Sequence, residues 1–136
     1  MRRTAAAALL AVLLVAGCGS SDTSVKRDLL RGVAQIRTTH DPKRLQTELR
    51  RTLTRLRRDR ASTAAERHAR ELASRGLEAT LAGIRSRIDF TDNDSGNVEA
   101  ATRDAVRADR RLARGARLLR AAGLALGIRI GPLGGR

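Results

Sequence analysis

Aromatic side chains are almost missing from this chain of 136 residues: Phe90 is the only one, and there is no tryptophan or tyrosine. Binding sites for sugars, platforms for single-stranded nucleic acid and most small-molecule pockets depend on aromatic faces, so their scarcity argues against all three. A core without aromatic residues has to be built from valine, leucine, isoleucine and alanine. That composition favours closely packed helices over a β-sandwich or a β-barrel.

Acidic residues and lysine are scarce as well. The chain has 14 aspartates and glutamates against 28 lysines and arginines, which gives a formal net charge of +14, and only Lys26 and Lys43 are lysines. An excess of arginine, alanine and glycine with few lysines is typical of GC-rich coding, which explains the choice of arginine over lysine. It does not explain the surplus of basic over acidic residues, and that surplus favours an anionic partner.

Cysteine occurs once, as Cys18, so the chain cannot form an internal disulfide. Cys18 follows a positively charged start, Arg2-Arg3, and an uncharged apolar run of 12 residues, 5–16. That run is too short for a membrane-spanning helix, which needs roughly 20 residues. A charged start, a short apolar stretch and small residues at its end are the features of an export signal.

The signal ends in Val15-Ala16-Gly17-Cys18, an aliphatic residue and two small ones before the cysteine. This stretch resembles the lipobox of bacterial lipoproteins. The resemblance implies that residues 1–17 are removed and that Cys18 carries a diacylglyceryl thioether with fatty acyl chains such as palmitate. It also implies that the protein is held at the extracytoplasmic face of the cell membrane. The alternatives are a plain secretory signal with an incidental cysteine and a twin-arginine signal on Arg2-Arg3.

The part of the chain after Cys18 is long enough for one domain. Residues 18–24 are small and polar, which predicts a flexible tether. Residues 25–130 form a predicted helical domain, and residues 131–136 a predicted disordered tail, with fraying expected from Gly127 onwards. The first helix is expected over 25–38, and Asp41-Pro42 is expected to cap the second helix. The apolar residues with helical spacing in these two helices are Val25, Leu29, Val33, Ile36, Leu45, Leu49, Leu53 and Leu56.

Two longer helices are predicted in the second half. Thr63 and Glu66 have the spacing of a capping box and predict a third helix that runs to about Asp89, with a loop over Thr91–Asn97. A fourth helix is expected over 98–127, with large and small residues alternating in a heptad pattern. The seam of this pattern consists of Val98, Ala101, Ala105, Ala108, Leu112, Gly115, Leu119, Ala122 and Leu126. Its expected partner is the third helix, folded back as a hairpin, and the alternative is a homodimer of two chains.

The sequence therefore predicts an all-α fold of about four helices. Two arrangements are open: a small helical bundle, or a long helical hairpin on which the two shorter helices dock.

Metal-binding and catalytic candidates are few. Residues 92–96 read Asp-Asn-Asp-Ser-Gly, but placing their glycine sixth in an EF-hand loop puts Thr102, not glutamate, at the twelfth position. His68 and Glu71 have a spacing that di-iron bundles use twice, yet it occurs once here, and a solvated ion pair is expected. His40 lies at a helix break, where an exposed or capping role is expected. Without a glycine-rich phosphate loop or a G-x-S-x-G motif, no cofactor, metal or enzymatic activity is expected.

The basic residues of the fourth helix have a regular spacing of four and three. This predicts one row about 21 Å long on the side opposite the heptad seam. The row consists of Arg103, Arg107, Arg110, Arg114 and Arg117. A second row is predicted on the second helix, formed by Arg44, Arg51, Arg55 and Arg58 and interrupted by Glu48. Such rows can hold phosphates of lipid headgroups or cell-wall polymers, and the alternative is a solvated face in an arginine-rich protein.

These observations predict a membrane-anchored lipoprotein without catalytic activity. Its basic helix faces are expected to contact anionic lipid, a cell-wall polymer or a protein partner. The alternative is an intracellular, basic helical protein that binds nucleic acid, which charge alone would support. The chain has no recognisable motif for reading nucleic acid, and export would separate it from the chromosome.

Overall fold

The computed structural model describes residues 23–92 and 96–133, and within those ranges it contains helices and no strands. The four helices are α1 (Ser24–Thr38), α2 (Pro42–Arg58), α3 (Ala64–Asp92) and α4 (Val98–Ala125). The all-α prediction with four helices is confirmed. Cys18 and the predicted signal lie outside the described residues.

Short-range capping interactions start the helices where the sequence predicts them. The side chain of Asp41 accepts a hydrogen bond from the amide of Lys43 at 3.0 Å, with proline in the first helical position. The amide of Glu66 donates to Thr63 Oγ1 at 3.1 Å, and Glu66 Oε2 accepts in return from the amide of Thr63 at 3.4 Å. Both predicted caps are therefore confirmed.

Helices α3 and α4 form an antiparallel hairpin, each roughly 42 Å long at 1.5 Å per residue. Their backbones approach closely where glycines face each other: a Cβ placed on Gly115 would lie 2.9 Å from the carbonyl oxygen of Gly76. Ala108, Gly115 and Leu119 of the predicted seam are buried against α3. The prediction of α3 as the partner of the seam is thus confirmed. The predicted seam is wrong at its first residue, because Val98 is 78% exposed.

Helices α1 and α2 dock on this hairpin. Helix α2 is antiparallel to α3: Lys43 Nζ lies 3.5 Å from Asp92 Oδ2 near the end of α3, and the Arg57 guanidinium near the end of α2 pairs with Glu78. Helix α1 contacts each of the other three helices, and Leu29 is fully buried. Fully buried leucines from all four helices meet in the core: Leu29, Leu49, Leu56, Leu77 and Leu119. The structure therefore combines the two predicted arrangements, a hairpin of long helices with a shorter pair packed on it.

The predicted loop and tail need correction. Thr91 and Asp92 belong to α3, so the helix is longer than expected, and 93–95 lie outside the described residues. Helix α4 ends in a Schellman motif, in which Gly127 has φ +70 and the amide of Ile128 donates to the carbonyl of Gly123 at 2.8 Å.

The chain then turns back onto the bundle instead of fraying. Ile130 is only 9% exposed, and Leu133 packs on the core. The expectation of a frayed end is therefore wrong for residues 128–133. The rest of the predicted disordered tail, 134–136, lies outside the described residues.

Candidate functional site

The five arginines of the predicted row on α4 are all exposed. Helix α4 continues without interruption from Val98 to Ala125, so the 4-3-4-3 spacing places the five side chains on the side opposite the seam that α3 covers. The row is about 21 Å long. The structure thus brings together Arg103, Arg107, Arg110, Arg114 and Arg117 on one face, as the spacing predicts.

The row is neutralised only near its N-terminal end. Arg107 Nη1 lies 3.4 Å from Asp104 Oδ1. Asp109 is held towards α3 instead, where Arg87 Nη2 donates to its Oδ1 at 2.8 Å. Within the described ranges, no carboxylate pairs with the remaining members of the row. After Asp109 the sequence contains seven arginines and no acidic residue.

Apolar side chains are exposed beside these arginines. Val106 is 45% exposed and Leu124 is 67% exposed, and helical geometry puts both at one edge of the row. Val98 and Val106 line a shallow surface depression together with Arg103, Arg107 and Arg110. The outer face of α4 is therefore both cationic and partly apolar. We call this surface, consisting of the five row arginines with Val106 and Leu124, the α4 face.

Two of the four arginines in the second predicted row, on α2, pair with carboxylates of the protein. Arg44 Nε donates to Glu48 Oε1 at 2.9 Å, and this bond, with one from Thr39, lowers the pKa of the Glu48 carboxyl. Arg55 Nε lies 3.7 Å from Asp28 Oδ1 on α1. All four arginines of the row are exposed, and no carboxylate of the described residues pairs with Arg51 or Arg58. The α2 row is therefore a weaker candidate for binding an anion than the α4 face.

A buried carboxylate cluster was not foreseen from the sequence. Asp28 is 6% exposed and accepts a hydrogen bond from Arg31 Nη1 at 2.7 Å. Burial, and then the nearby Asp28, raise the pKa of the Asp59 carboxyl. Arg70 on α3 donates to the backbone carbonyl of Asp59 at 2.6 Å. The contacts of Asp59 with Asp28 and with Arg70 link α1, α2 and α3. Only the pair of Asp28 and Arg31 has a helical spacing in the sequence, because the other partners lie on different helices.

The histidines and acidic residues singled out earlier are dispersed on the surface. His40 and His68 are exposed. Glu71 pairs with Arg75, whose Nη1 lies 3.8 Å from Glu71 Oε1, so the predicted ion pair between His68 and Glu71 is wrong. In the described part of the chain, no three metal-ligating side chains form a group. None of the helices described there is both long and apolar enough to cross a bilayer.

Comparison of the chain with known protein families, with curated proteins and with solved structures finds no match.

Proposed function

We propose that the protein is a lipoprotein without catalytic activity, anchored through Cys18 at the extracytoplasmic face of the cell membrane, and that its α4 face rests on anionic lipid. The observation that carries the proposed contact with anionic lipid is the positive charge of the α4 face. Arg110, Arg114 and Arg117 are exposed, and no carboxylate of the described chain pairs with them. The anchor rests on the lipobox resemblance of residues 15–18.

The physical chemistry of an anionic membrane suits this face. Each basic residue near such a surface contributes about 1 kcal/mol of binding free energy. A lipid anchor raises the local concentration of the helix at the membrane, so weak contacts of this kind become effective. The row is parallel to the axis of α4, which lets all of its guanidinium groups contact one flat surface.

The exposed apolar residues favour lipid over a hydrophilic cell-wall polymer. Helices that lie in a membrane interface combine arginines with apolar side chains that enter the boundary between headgroups and acyl chains. Val106 and Leu124 supply such side chains at the edge of the row. A polymer without an apolar phase would leave both of them in water.

The test measures binding of the chain beginning at Gly19 to vesicles with and without anionic lipid. We expect binding to the anionic vesicles only, weakening as salt rises, because exposed charges are screened within about 8 Å at physiological ionic strength. The triple variant Arg110→Gln, Arg114→Gln, Arg117→Gln should bind less. Its helicity should be kept, because glutamine is nearly as good a helix former as arginine.

The matched control changes three arginines that are exposed, outside both rows and without an ion pair among the described residues: Arg50, Arg60 and Arg129. Arg31, Arg70 and Arg87 are unsuitable as controls because each already bonds another residue: Asp28, the backbone carbonyl of Asp59 and Asp109, respectively. If row and control variants lose binding equally, net charge alone is responsible and the α4 face is not a site. Binding to soluble cell-wall polymer but not to vesicles would also contradict the proposal.

The anchor is tested separately by cell fractionation. Mature protein that begins at a lipid-modified Cys18 should be recovered with the membranes. Recovery of the full-length chain from the cytosol, with residues 1–17 retained, would refute the anchor and favour the nucleic-acid alternative.

A further inference from the structure

A cleft of about 800 Å³ opens on a side of the bundle distinct from the α4 face. It lies where the turn between α1 and α2, the α3–α4 hairpin and the returning segment 128–133 meet. Its walls include four half-buried aliphatic side chains, each from a different part of the chain: Ile36, Leu45, Leu112 and Leu133. Leu119, which is fully buried, forms part of the floor. The walls are therefore mainly aliphatic, and Thr39, His40 and Thr80 are polar residues of the lining.

The rim of this cleft carries a surplus of positive charge. Arg37, in the last turn of α1, lies at the rim and is exposed. Its Nη2 lies 3.2 Å from the position that a Cβ on Gly131 would occupy. No carboxylate within 23–92 or 96–133 pairs with Arg37. Arg87 and Asp109, which also line the cleft, pair with each other and cancel in charge.

We propose that the cleft binds one medium-chain fatty acid, with its acyl chain between the aliphatic walls and its carboxylate on Arg37. The volume is within the range of pockets that enclose one small ligand. The planar guanidinium matches a carboxylate because it donates two parallel hydrogen bonds. A saturated chain needs no aromatic wall, so the scarcity of aromatic residues agrees with this ligand.

This binding does not depend on the proposed membrane contact. On α4, Leu112, Ala113 and Ala116 line the cleft, and none of the row arginines is among its lining residues. Variants of the row arginines and of Arg37, which lies on α1, can therefore be examined independently.

The test uses isothermal titration calorimetry on the full-length chain, made by cell-free synthesis without membranes so that Cys18 carries no acyl chain. Dodecanoate should bind with one-to-one stoichiometry. Octanoate, which is four methylenes shorter, should bind on the order of a hundredfold more weakly. Arg37→Gln should weaken dodecanoate binding about tenfold and leave binding of the uncharged dodecanol unchanged.

Two further variants make the test specific to the cleft. Arg50→Gln removes an exposed arginine that lies outside the cleft and pairs with no carboxylate in 23–92 or 96–133, and it should leave the affinity for dodecanoate unchanged. Ala113→Trp fills the mouth of the cleft from an exposed helical position and should abolish binding, with helicity checked by circular dichroism. The proposal would be overturned if each chain took up several dodecanoate molecules, or if Arg37→Gln and Arg50→Gln weakened binding equally. It would also be overturned if a helical Ala113→Trp variant bound dodecanoate as well as the unaltered chain. The absence of binding by the unaltered chain would overturn it as well.

Discussion

The close approach of the α3 and α4 backbones at Gly115 makes Gly115→Ala a sensitive test of the fold. A Cβ at this position would lie 2.9 Å from the carbonyl oxygen of Gly76 and 3.0 Å from the backbone nitrogen of Thr80, and it would also collide with Thr80 Oγ1. Thr80 Oγ1 cannot move without losing its buried hydrogen bond to that carbonyl, at 2.9 Å. The two helix backbones would have to separate to admit the methyl group.

The expected loss of stability follows from three effects. Overpacking costs about 1–3 kcal/mol, and the backbone contacts place this site at the upper end. A weakened hydrogen bond adds about 1 kcal/mol. Against these, alanine is a better helix former than glycine by about 1 kcal/mol. The free energy of unfolding should therefore fall by about 2–3 kcal/mol.

Urea denaturation followed by far-ultraviolet circular dichroism measures this loss, since the chain has no tryptophan or tyrosine for fluorescence. With a slope of about 2 kcal/mol per M, the unfolding midpoint should fall by about 1 M urea. Gly32→Ala is the matched control: its new Cβ would lie 3.2 Å from Leu77 Cδ2, the end of a flexible side chain. Its midpoint should stay within about 0.3 M of the original. A Gly115→Ala midpoint at or above that of the unaltered protein would refute the close packing of α3 on α4.

Three further predictions concern α3, the returning segment and the anchor. The amide and hydroxyl of Ser62 donate to Glu66 at 2.7 and 2.8 Å and lower the pKa of its carboxyl. The stability that this carboxylate contributes is present above the ordinary glutamate pKa and is lost as the pH falls through the lowered pKa of Glu66. Glu66→Gln should therefore destabilise the protein at about pH 7 but much less at about pH 3, as measured by urea melts. Ile130→Ala should reduce the free energy of unfolding by about 2 kcal/mol with little change in helicity. An unchanged free energy of unfolding would mean that residues 128–133 do not pack on the bundle. Cys18→Ala should release the protein from membranes or leave an unprocessed precursor, and mass spectrometry that finds an unmodified Cys18 in native protein would contradict the anchor.

Helix positions and caps are determined by the sequence itself, because the interactions that create them join residues close together in the chain. Asp41 and Thr63 cap helices through bonds that span two or three residues. The heptad spacing of α4 identifies the buried seam and, on the opposite side, the exposed arginine row. All five arginines of that row could be assigned to one face from their spacing alone.

The tertiary structure decides which charges are engaged. Arg55 and Arg58 look equivalent in the α2 row, yet Asp28 on another helix lies beside Arg55. Arg87 on α3 binds Asp109, and no carboxylate of the residues that the structure describes pairs with the C-terminal part of the α4 row. Arg87 and Asp109 are 22 residues apart in sequence, and Asp28 and Arg55 are 27 apart. No local pattern links residues so distant.

The return of segment 128–133 and the cleft beneath it also depend on tertiary packing. Gly127 predicts the end of a helix, but it does not predict where the chain goes next. Ile130 packs against Gly123, and its Cδ1 lies 2.8 Å from the position that a Cβ on Gly123 would occupy. Short-range periodicity determines which face of a helix is apolar. The cleft is a gap between packed helices and segment 128–133, so it exists only after the four helices have assembled.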